Sequence, residues 1–440
     1  MLEFLGLDSI DQLFAHIPAS VRLCAGLDMA PGMSEPDVAA VFAELTSRNR
    51  GQLATLTCYA GAGAYDHEVP PVVRALGSRS EFVTAYTPYQ PEVAQGILQA
   101  VFEYQTMVSR LAGLPIANAS IYDGATSLVE AVNMAGGATG RQRMLISAGV
   151  HPHWRAVVKT FAFGTGHDIV EVPLVNGVTD WASVDATDAA CVVSAYPNFL
   201  GVLEDLSVAK AVAVNAGALF VVAGDPVAAS VLKTAGAWGA DVYVGEGQPF
   251  GTALSFGGPY LGLFACSEAQ IRRLPGRIVG ETLDSNGRRS FVTTLRAREQ
   301  DIRREKATSN ICSNQTLMAV TAAIQLGYLG TQGLAEVATR CAQGAHYLFD
   351  QLTAIPGVSA LHDQPFFREF ALRLAKPADL ALAALADEGI LGGLSLKGLA
   401  GDTDPSVEGA TSSIVLIAVT ERRTREELDR YATALRKVLS

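Results

Sequence analysis

Val244-Gly-Glu-Gly-Gln-Pro-Phe-Gly251, then Phe256-Gly-Gly-Pro259, then Arg298-Glu-Gln-Asp-Ile-Arg-Arg-Glu-Lys-Ala-Thr-Ser-Asn-Ile-Cys312 follow one another in a single segment of the chain. A strand ending, a Gly-rich turn and a polar loop leading into a helix form the frame in which α/β enzymes hold pyridoxal phosphate. Such a site needs a lysine just past the strand, and the residue there is Gln248. An amide cannot make the covalent link to the aldehyde of the cofactor. The chain therefore reads as half of an enzyme.

Working outward, short apolar runs recur at Arg143–Ser147, Ile169–Pro173, Ala190–Ser194, Ala218–Ala223, Asp241–Gly245 and Gly262–Cys266, separated by helix-length segments. Runs that are apolar on both faces belong to strands covered on both sides, which predicts a mostly parallel sheet sandwiched by helices. Helices are expected over Glu92–Leu111, from Ile121 through Met134, and over Gln315–Leu329 with a continuation to Leu352. A smaller α/β unit then carries Phe367–Leu374, Ser413–Val419 and an amphipathic helix Thr424–Leu439. The expected organisation is an N-terminal helical or interface segment (1–70), a large α/β domain (71–325), and a linker helix with a small C-terminal α/β domain (326–440). No internal repeat or low-complexity tract is visible.

With 440 residues, 49% hydrophobic and 18% charged, the chain is long enough for two or three domains around sizeable cores. The apolar run near Ala216–Gly224 ends at Asp225, far short of the roughly 20 residues of a membrane-spanning helix. The first residues show no basic, apolar leader, and Cys24, Cys58, Cys191, Cys266, Cys312 and Cys341 are scattered without a Cys-x-x-Cys pair. The expectation is a bacterial-type cytoplasmic protein with reduced thiols, without a disulfide framework or zinc site. A net charge of −11 argues against nucleic acid as a partner. Within 271–306, however, ten basic side chains face five acidic ones, a local net of +5. That stretch is either a solvated face or a docking surface for an anionic partner.

Three features supply chemistry. Asp123-Gly-Ala-Thr126 opens a helix, so Gly124, Ala125 and Thr126 offer free N–H groups of the kind that hold a phosphate. His151 follows a strand and is placed either to stack on an aromatic ring or to serve structure alone. His151-Pro-His153 lacks a Cys or carboxylate at ligand spacing, so no metal site is expected. Lys306-Ala-Thr-Ser-Asn310 gathers donors suited to a phosphate. Two loops dense in Tyr, Pro and His add candidates: Tyr65 and His67 in the first, Tyr86 and Tyr89 in Tyr86-Thr-Pro-Tyr-Gln90. They are read equally as channel-lining or dimer-packing loops.

Together with Pro275-Gly-Arg-Ile-Val-Gly280, Gly113-Leu-Pro-Ile-Ala-Asn-Ala-Ser120, Tyr65-Asp-His67 and Tyr196-Pro-Asn198, these stretches resemble the P-protein family of the glycine cleavage system, the pyridoxal-dependent glycine dehydrogenases (decarboxylating). The likeness spans nearly the whole chain. It implies the fold type I architecture of pyridoxal-phosphate transferases: a large domain with a seven-stranded-type sheet and a small C-terminal domain. Length and the missing lysine place the chain with the subunit 1 half, which pairs with a lysine-bearing subunit 2, doubled to α2β2. In the partner half of the family a His-Lys-Thr-Phe run precedes Gly-Gly-Pro, and anchoring on Phe250 and Gly257-Gly-Pro259 puts its lysine at Gln248.

By the same resemblance, the cofactor is held covalently by the partner rather than by this chain. Thr308, Ser309 and Asn310 reach its phosphate across the interface, while Gly124, Ala125, Thr126 and His151 are vestiges. The implied reaction binds glycine, releases carbon dioxide and passes the aminomethyl group to the lipoyl arm of H-protein. Tyr65, His67, Tyr86 and Tyr89 are the candidates for shaping that channel or moving protons. Two alternatives stay open. One is a stand-alone enzyme using Lys233 or Lys210; the other is a non-catalytic scaffold that stabilises the partner and docks H-protein.

Overall fold

A computed structural model describes residues 1–23, 26–49, 56–85, 87–255, 257–399 and 411–440. Met1–Gln52 and Leu53–Ser440 are two separate compact units. In the first, Ser34 caps the helix Glu35–Ser47 by accepting a bond from the Asp37 N–H, with Pro36 in the first turn where its missing donor costs nothing.

The second unit is organised by a seven-stranded sheet. Its strands are β1 (Ile116–Ala117), β2 (Arg143–Ser147), β3 (Asp168–Val172), β4 (Ala189–Tyr196), β5 (Leu219–Gly224), β6 (Val242–Glu246) and β7 (Gly262–Cys266), in the order β1-β7-β6-β5-β4-β2-β3. The central pairs β3-β2, β2-β4, β4-β5 and β5-β6 are parallel, as two-sided apolar runs require, and β7 alone runs antiparallel to both its neighbours. Helices α1 (Gln95–Ala112), α2 (Gly124–Thr139), α3 (Pro152–Thr165) and α4 (Leu206–Ala216) cover it. One face buries Leu145, Val192, Phe220 and Leu263; the other buries Ile146, Val193, Val221 and Phe264. Alternate residues of the same strands thus serve opposite cores, the period-2 signature of a strand.

A hairpin that the apolar pattern does not announce, β8 (Ile278–Leu283) with β9 (Arg289–Thr294), occupies the basic stretch. Its faces carry ion pairs, Arg289 with Glu281 at 2.8 Å and Arg288 with Asp284 at 3.3 Å, so much of the local positive charge is spent on its own neighbours. The long helix α5 (Thr316–Thr353) is interrupted at Gly330, whose φ of 61° lies outside helical space. Beyond it, β10 (Val358–Ala360), β11 (Glu369–Leu374), β12 (Leu394–Ser395) and β13 (Ile414–Ala418) form a four-stranded antiparallel sheet in the order β10-β11-β13-β12, with α6 (Ala378–Asp387) and α7 (Arg425–Leu439).

The two sheets meet just after β4. Leu203 N–H donates to the Pro365 carbonyl at 2.8 Å, and Val202 bridges Phe366. Gly201 sits at the crossing with φ 86°, where a Cβ would lie 1.8 Å from the Glu369 carbonyl oxygen. Both the backbone conformation and the close approach demand glycine. Gly201→Ala is expected to lower stability by more than about 2 kcal/mol, read as the shift in urea midpoint of the isolated chain.

Candidate functional site

The carboxyl ends of β2, β4, β5 and β6 open onto a pocket of about 80 Å³ lined by Tyr65, His151, Trp154, Asp225, Arg368 and Glu369, among others. In an open α/β sheet this is where a ligand belongs. Here the chain's own side chains engage one another.

Gln248 is 1% exposed, and its amide is fully engaged. Its Oε1 accepts from the Tyr65 N–H at 2.9 Å, and its Nε2 donates to the Tyr65 carbonyl at 3.1 Å and to the Thr252 carbonyl at 2.7 Å. The residue at the lysine position is thus a two-way staple for the loop that carries Tyr65. A buried amide is tolerated because each of its polar atoms has a partner.

The phosphate-type cup at the start of α2 is also filled. Glu246 accepts from the N–H groups of Gly124, Gln248 and Leu261, each at 2.9 Å. Thr126 N–H is taken by the Asp123 carboxylate at 2.7 Å in a capping box. The Trp154 ring lies so close over Gly124 that a Cβ there would meet it at 2.2 Å. Gly124 and Thr126 keep the geometry expected of them, but a carboxylate already receives the donors. Burial raises the Glu246 carboxyl to about 7 even against three backbone donors.

His151 Nε2 donates to the Ala62 carbonyl at 2.9 Å, and its Nδ1 accepts from the His153 N–H at 3.1 Å. The carbonyl can only accept, so Nε2 carries the proton. Burial drives this histidine down to about 4, so it is neutral at physiological pH. Its ring packs against Trp154 and Phe199.

Asp225 and Arg368 complete the filling. Asp225 lines the pocket just after β5. There its Oδ2 pairs with the Arg368 guanidinium at 2.6 Å. Arg368, 2% exposed, also stacks over the Tyr65 ring at 3.8 Å and donates to His67 Nε2. Tyr65 Oη donates to Glu369 at 2.8 Å, and the other Glu369 oxygen accepts from Ala62 N–H at 2.7 Å. Sequence reasoning missed Arg368 and Glu369, although a charged pair opening an apolar strand was a visible signal.

His67, Cys341 and Glu421 offer ligand atoms within 4.8 Å of one another. An arginine cannot accept, so the Arg368 bond makes Nε2 of His67 the acceptor and leaves the proton on Nδ1. That proton goes to Glu421 at 2.7 Å, which also accepts from Glu68 N–H at 2.8 Å. Burial pushes Glu421 up, but the bond from His67 and the backbone N–H groups outweigh it and hold the carboxyl at about 2. A metal would need the unprotonated Nδ1, so the trio is a hydrogen-bonded knot.

The second set of candidates lies elsewhere. Thr308 and Asn310 are exposed, and Ser309 is half-buried with its Oγ accepting from Ile311 N–H at 3.1 Å. The end of this loop is pinned by Tyr122 Oη, which accepts from the N–H groups of Cys312 and Ser313. Tyr89, 54% exposed, belongs to this region rather than to the pocket: Arg277 donates to its hydroxyl at 3.2 Å. Tyr86 lies outside the described residues. Lys210 faces Asp241, and Lys233 stacks on Trp238 at 3.7 Å; neither lines the pocket.

The pocket does not fit pyridoxal phosphate. The lysine position is an amide, the N–H groups of Gly124 and Thr126 are taken by Glu246 and Asp123 while Ala125 lines a neighbouring cleft, and Arg368 already engages Asp225.

Comparisons with known proteins agree with this frame. The family described as glycine cleavage system P-protein matches residues 1–435. A Chlorobium chlorochromatii protein named probable glycine dehydrogenase (decarboxylating) subunit 1 is 46% identical over 439 residues, covering 99% of this chain and 96% of its own length. A crystal structure of glycine decarboxylase (P-protein) of the glycine cleavage system, in inhibitor-bound form, superposes with a TM-score of 0.91 at 45% identity, covering 100% of this chain and 97% of that one. A Burkholderia pseudomallei sphingosine-1-phosphate lyase shares the fold alone, with TM-score 0.66 at 17% identity over 94% of this chain and 92% of its own. The architecture is that of fold type I pyridoxal-phosphate enzymes.

Glu369, like Glu246, is raised by burial to about 7 from an ordinary 4.5. Between those values the folded chain keeps protons that the unfolded chain releases, so these groups make stability fall as pH rises from about 4.5 to about 7. Glu369→Gln keeps an acceptor for Ala62 and a partner for Tyr65. It should make that slope shallower by up to about 1.4 kcal/mol per pH unit, read from urea midpoints across the range.

Proposed function

The chain belongs to the glycine cleavage system P-protein family, and from that membership we propose that it serves as subunit 1 of a glycine dehydrogenase (decarboxylating). In this reading it works with a lysine-bearing subunit 2, assembled as α2β2, and the pyridoxal phosphate is bound covalently by the partner. The observation that carries the proposal is the contrast between the two candidate regions. In the chain's own pocket the Gln248 amide and the Gly124 and Thr126 N–H groups are committed to its own side chains and backbone and Arg368 is paired with Asp225, while Thr308 and Asn310 stand exposed on a pinned loop.

When bound by the partner, pyridoxal phosphate supplies an electron sink for the loss of the glycine carboxylate. The residues of this chain act around it. Thr308 and Asn310 donate hydrogen bonds to its phosphate, and Ser309 shapes the loop through its bond from Ile311. Tyr89, displayed beside them, lines the approach by which glycine and then the lipoyl arm of H-protein enter. Tyr65 and His67 hold the inner pocket shut through Glu369, Glu421 and Arg368, which keeps the loop carrying them rigid. The product is carbon dioxide and an aminomethyl group passed to the lipoyl sulfur.

Two experiments test this. A visible absorbance titration with pyridoxal phosphate should give no lysine-imine band for the chain alone and a full band once the partner is added. A band from the chain alone, fixed to one of its lysines by borohydride, would overturn the reading. In the reconstituted complex, Thr308→Ala should weaken cofactor retention about tenfold, the effect of losing one hydrogen bond to a charged group.

A further inference from the structure

Arg277 is the one basic residue of the 271–306 stretch that the fold buries deeply, at 6% exposure. Its backbone carbonyl accepts from Ala119 N–H at 2.8 Å, which fixes its position against the large sheet's loops. A single guanidinium nitrogen, Nη2, then donates twice: to the Tyr89 hydroxyl at 3.2 Å and to the Cys312 carbonyl at 3.1 Å. The other terminal nitrogen, Nη1, has no partner and is enclosed. The Tyr89 ring lies between two guanidinia, 5.4 Å from Arg277 and 5.2 Å from Arg296.

These contacts join two loops that the sequence presents separately. Cys312 stands at the foot of the Thr308–Asn310 loop, and Tyr89 belongs to the aromatic-proline loop far upstream. A lysine could not replace the arrangement fully, because it lacks the guanidinium plane that fixes the directions of the two Nη2 hydrogens and lies beside the Tyr89 ring. The guanidinium sits beneath the rim that the two loops make, with no ion pair among the described residues, although its charge also acts on the Glu299 carboxyl. In such a place a fixed positive charge favours an anionic ligand.

We propose that Arg277 is a positioning residue for the anionic end of the cofactor held across the interface: it locks Tyr89 to the foot of the Thr308–Asn310 loop, so that both loops present one rigid rim. This rests on the reading that the loop reaches the partner's cofactor. The rim then loses its order if either arm of the clamp is removed, although neither arm touches the cofactor itself.

The test uses the reconstituted two-subunit complex, with pyridoxal phosphate titrated by visible absorbance for Tyr89→Phe, Arg277→Lys, the double variant and Thr308→Ala. Each of the first two should weaken cofactor affinity about tenfold, and the double variant should be no worse than the weaker single one, since both break the same clamp. Wild-type affinity in Tyr89→Phe and Arg277→Lys while Thr308→Ala is weakened would overturn the clamp and leave the cross-interface reading standing, as would simple addition of the two effects. Unchanged affinity in Thr308→Ala would sink that reading, and the clamp with it. Tyr89→Phe removes only a hydroxyl from an exposed ring, so it carries the test even where Arg277→Lys fails to fold.

Discussion

A buried guanidinium is the constraint from which much of this molecule follows. Arg368 stands at the start of β11, in the smaller sheet, and its charge is met by Asp225 at the end of β5 in the larger one. An unpaired charge at 2% exposure would cost several kcal/mol, so Asp225, His67 and the Tyr65 face must all converge on it. Their convergence draws the loop around Ala62–Glu68 inward, where Glu369 and Glu421 receive its backbone N–H groups. Replacing such a pair with apolar side chains often costs little overall, so its value is in selecting one arrangement over others. Here the arrangement selected is a closed pocket bridging two sheets.

The contrast with the outward rim is electrostatic. In the pocket, the acids Glu246, Glu369 and Asp225 take up backbone N–H groups and one arginine, leaving little for an anion to bind. At the rim, Thr308 and Asn310 are exposed, and the buried Arg277 guanidinium keeps one terminal nitrogen without a hydrogen-bond partner. Donors that are already satisfied cannot hold a ligand, and this separates two regions whose sequences both suggest phosphate binding.

Much of the fold was legible because parallel strands covered on both faces leave continuous apolar runs; Arg143–Ser147 and Gly262–Cys266 are strands over those same residues. The direction of Gly262–Cys266 was not legible, since pairing sense leaves no mark on a run buried on both faces. The hairpin at Ile278–Thr294 was hidden because its outward positions are charged and its inward ones few. The missing lysine was visible in the sequence, but what replaced it was not. Gln248 finds its partners in Tyr65, Glu246 arrives at Gly124 from another strand, and Arg368 reaches Asp225 from another sheet. Pairings between residues so far apart in the chain depend on the tertiary fold, and no local spacing encodes them. Arg277 was counted among surface charges for the same reason, although it is buried.

The stapling amide at position 248 has a consequence for what a single substitution can change. Gln248 is bonded to Tyr65, Thr252 and Glu246, while Glu246 holds the Gly124 N–H and Arg368 packs on the Tyr65 ring. A lysine placed at 248 alone would release the loop that carries Tyr65 and still find the Gly124 donor occupied. The cup is closed by several interlocked contacts, and opening it takes more than one of them.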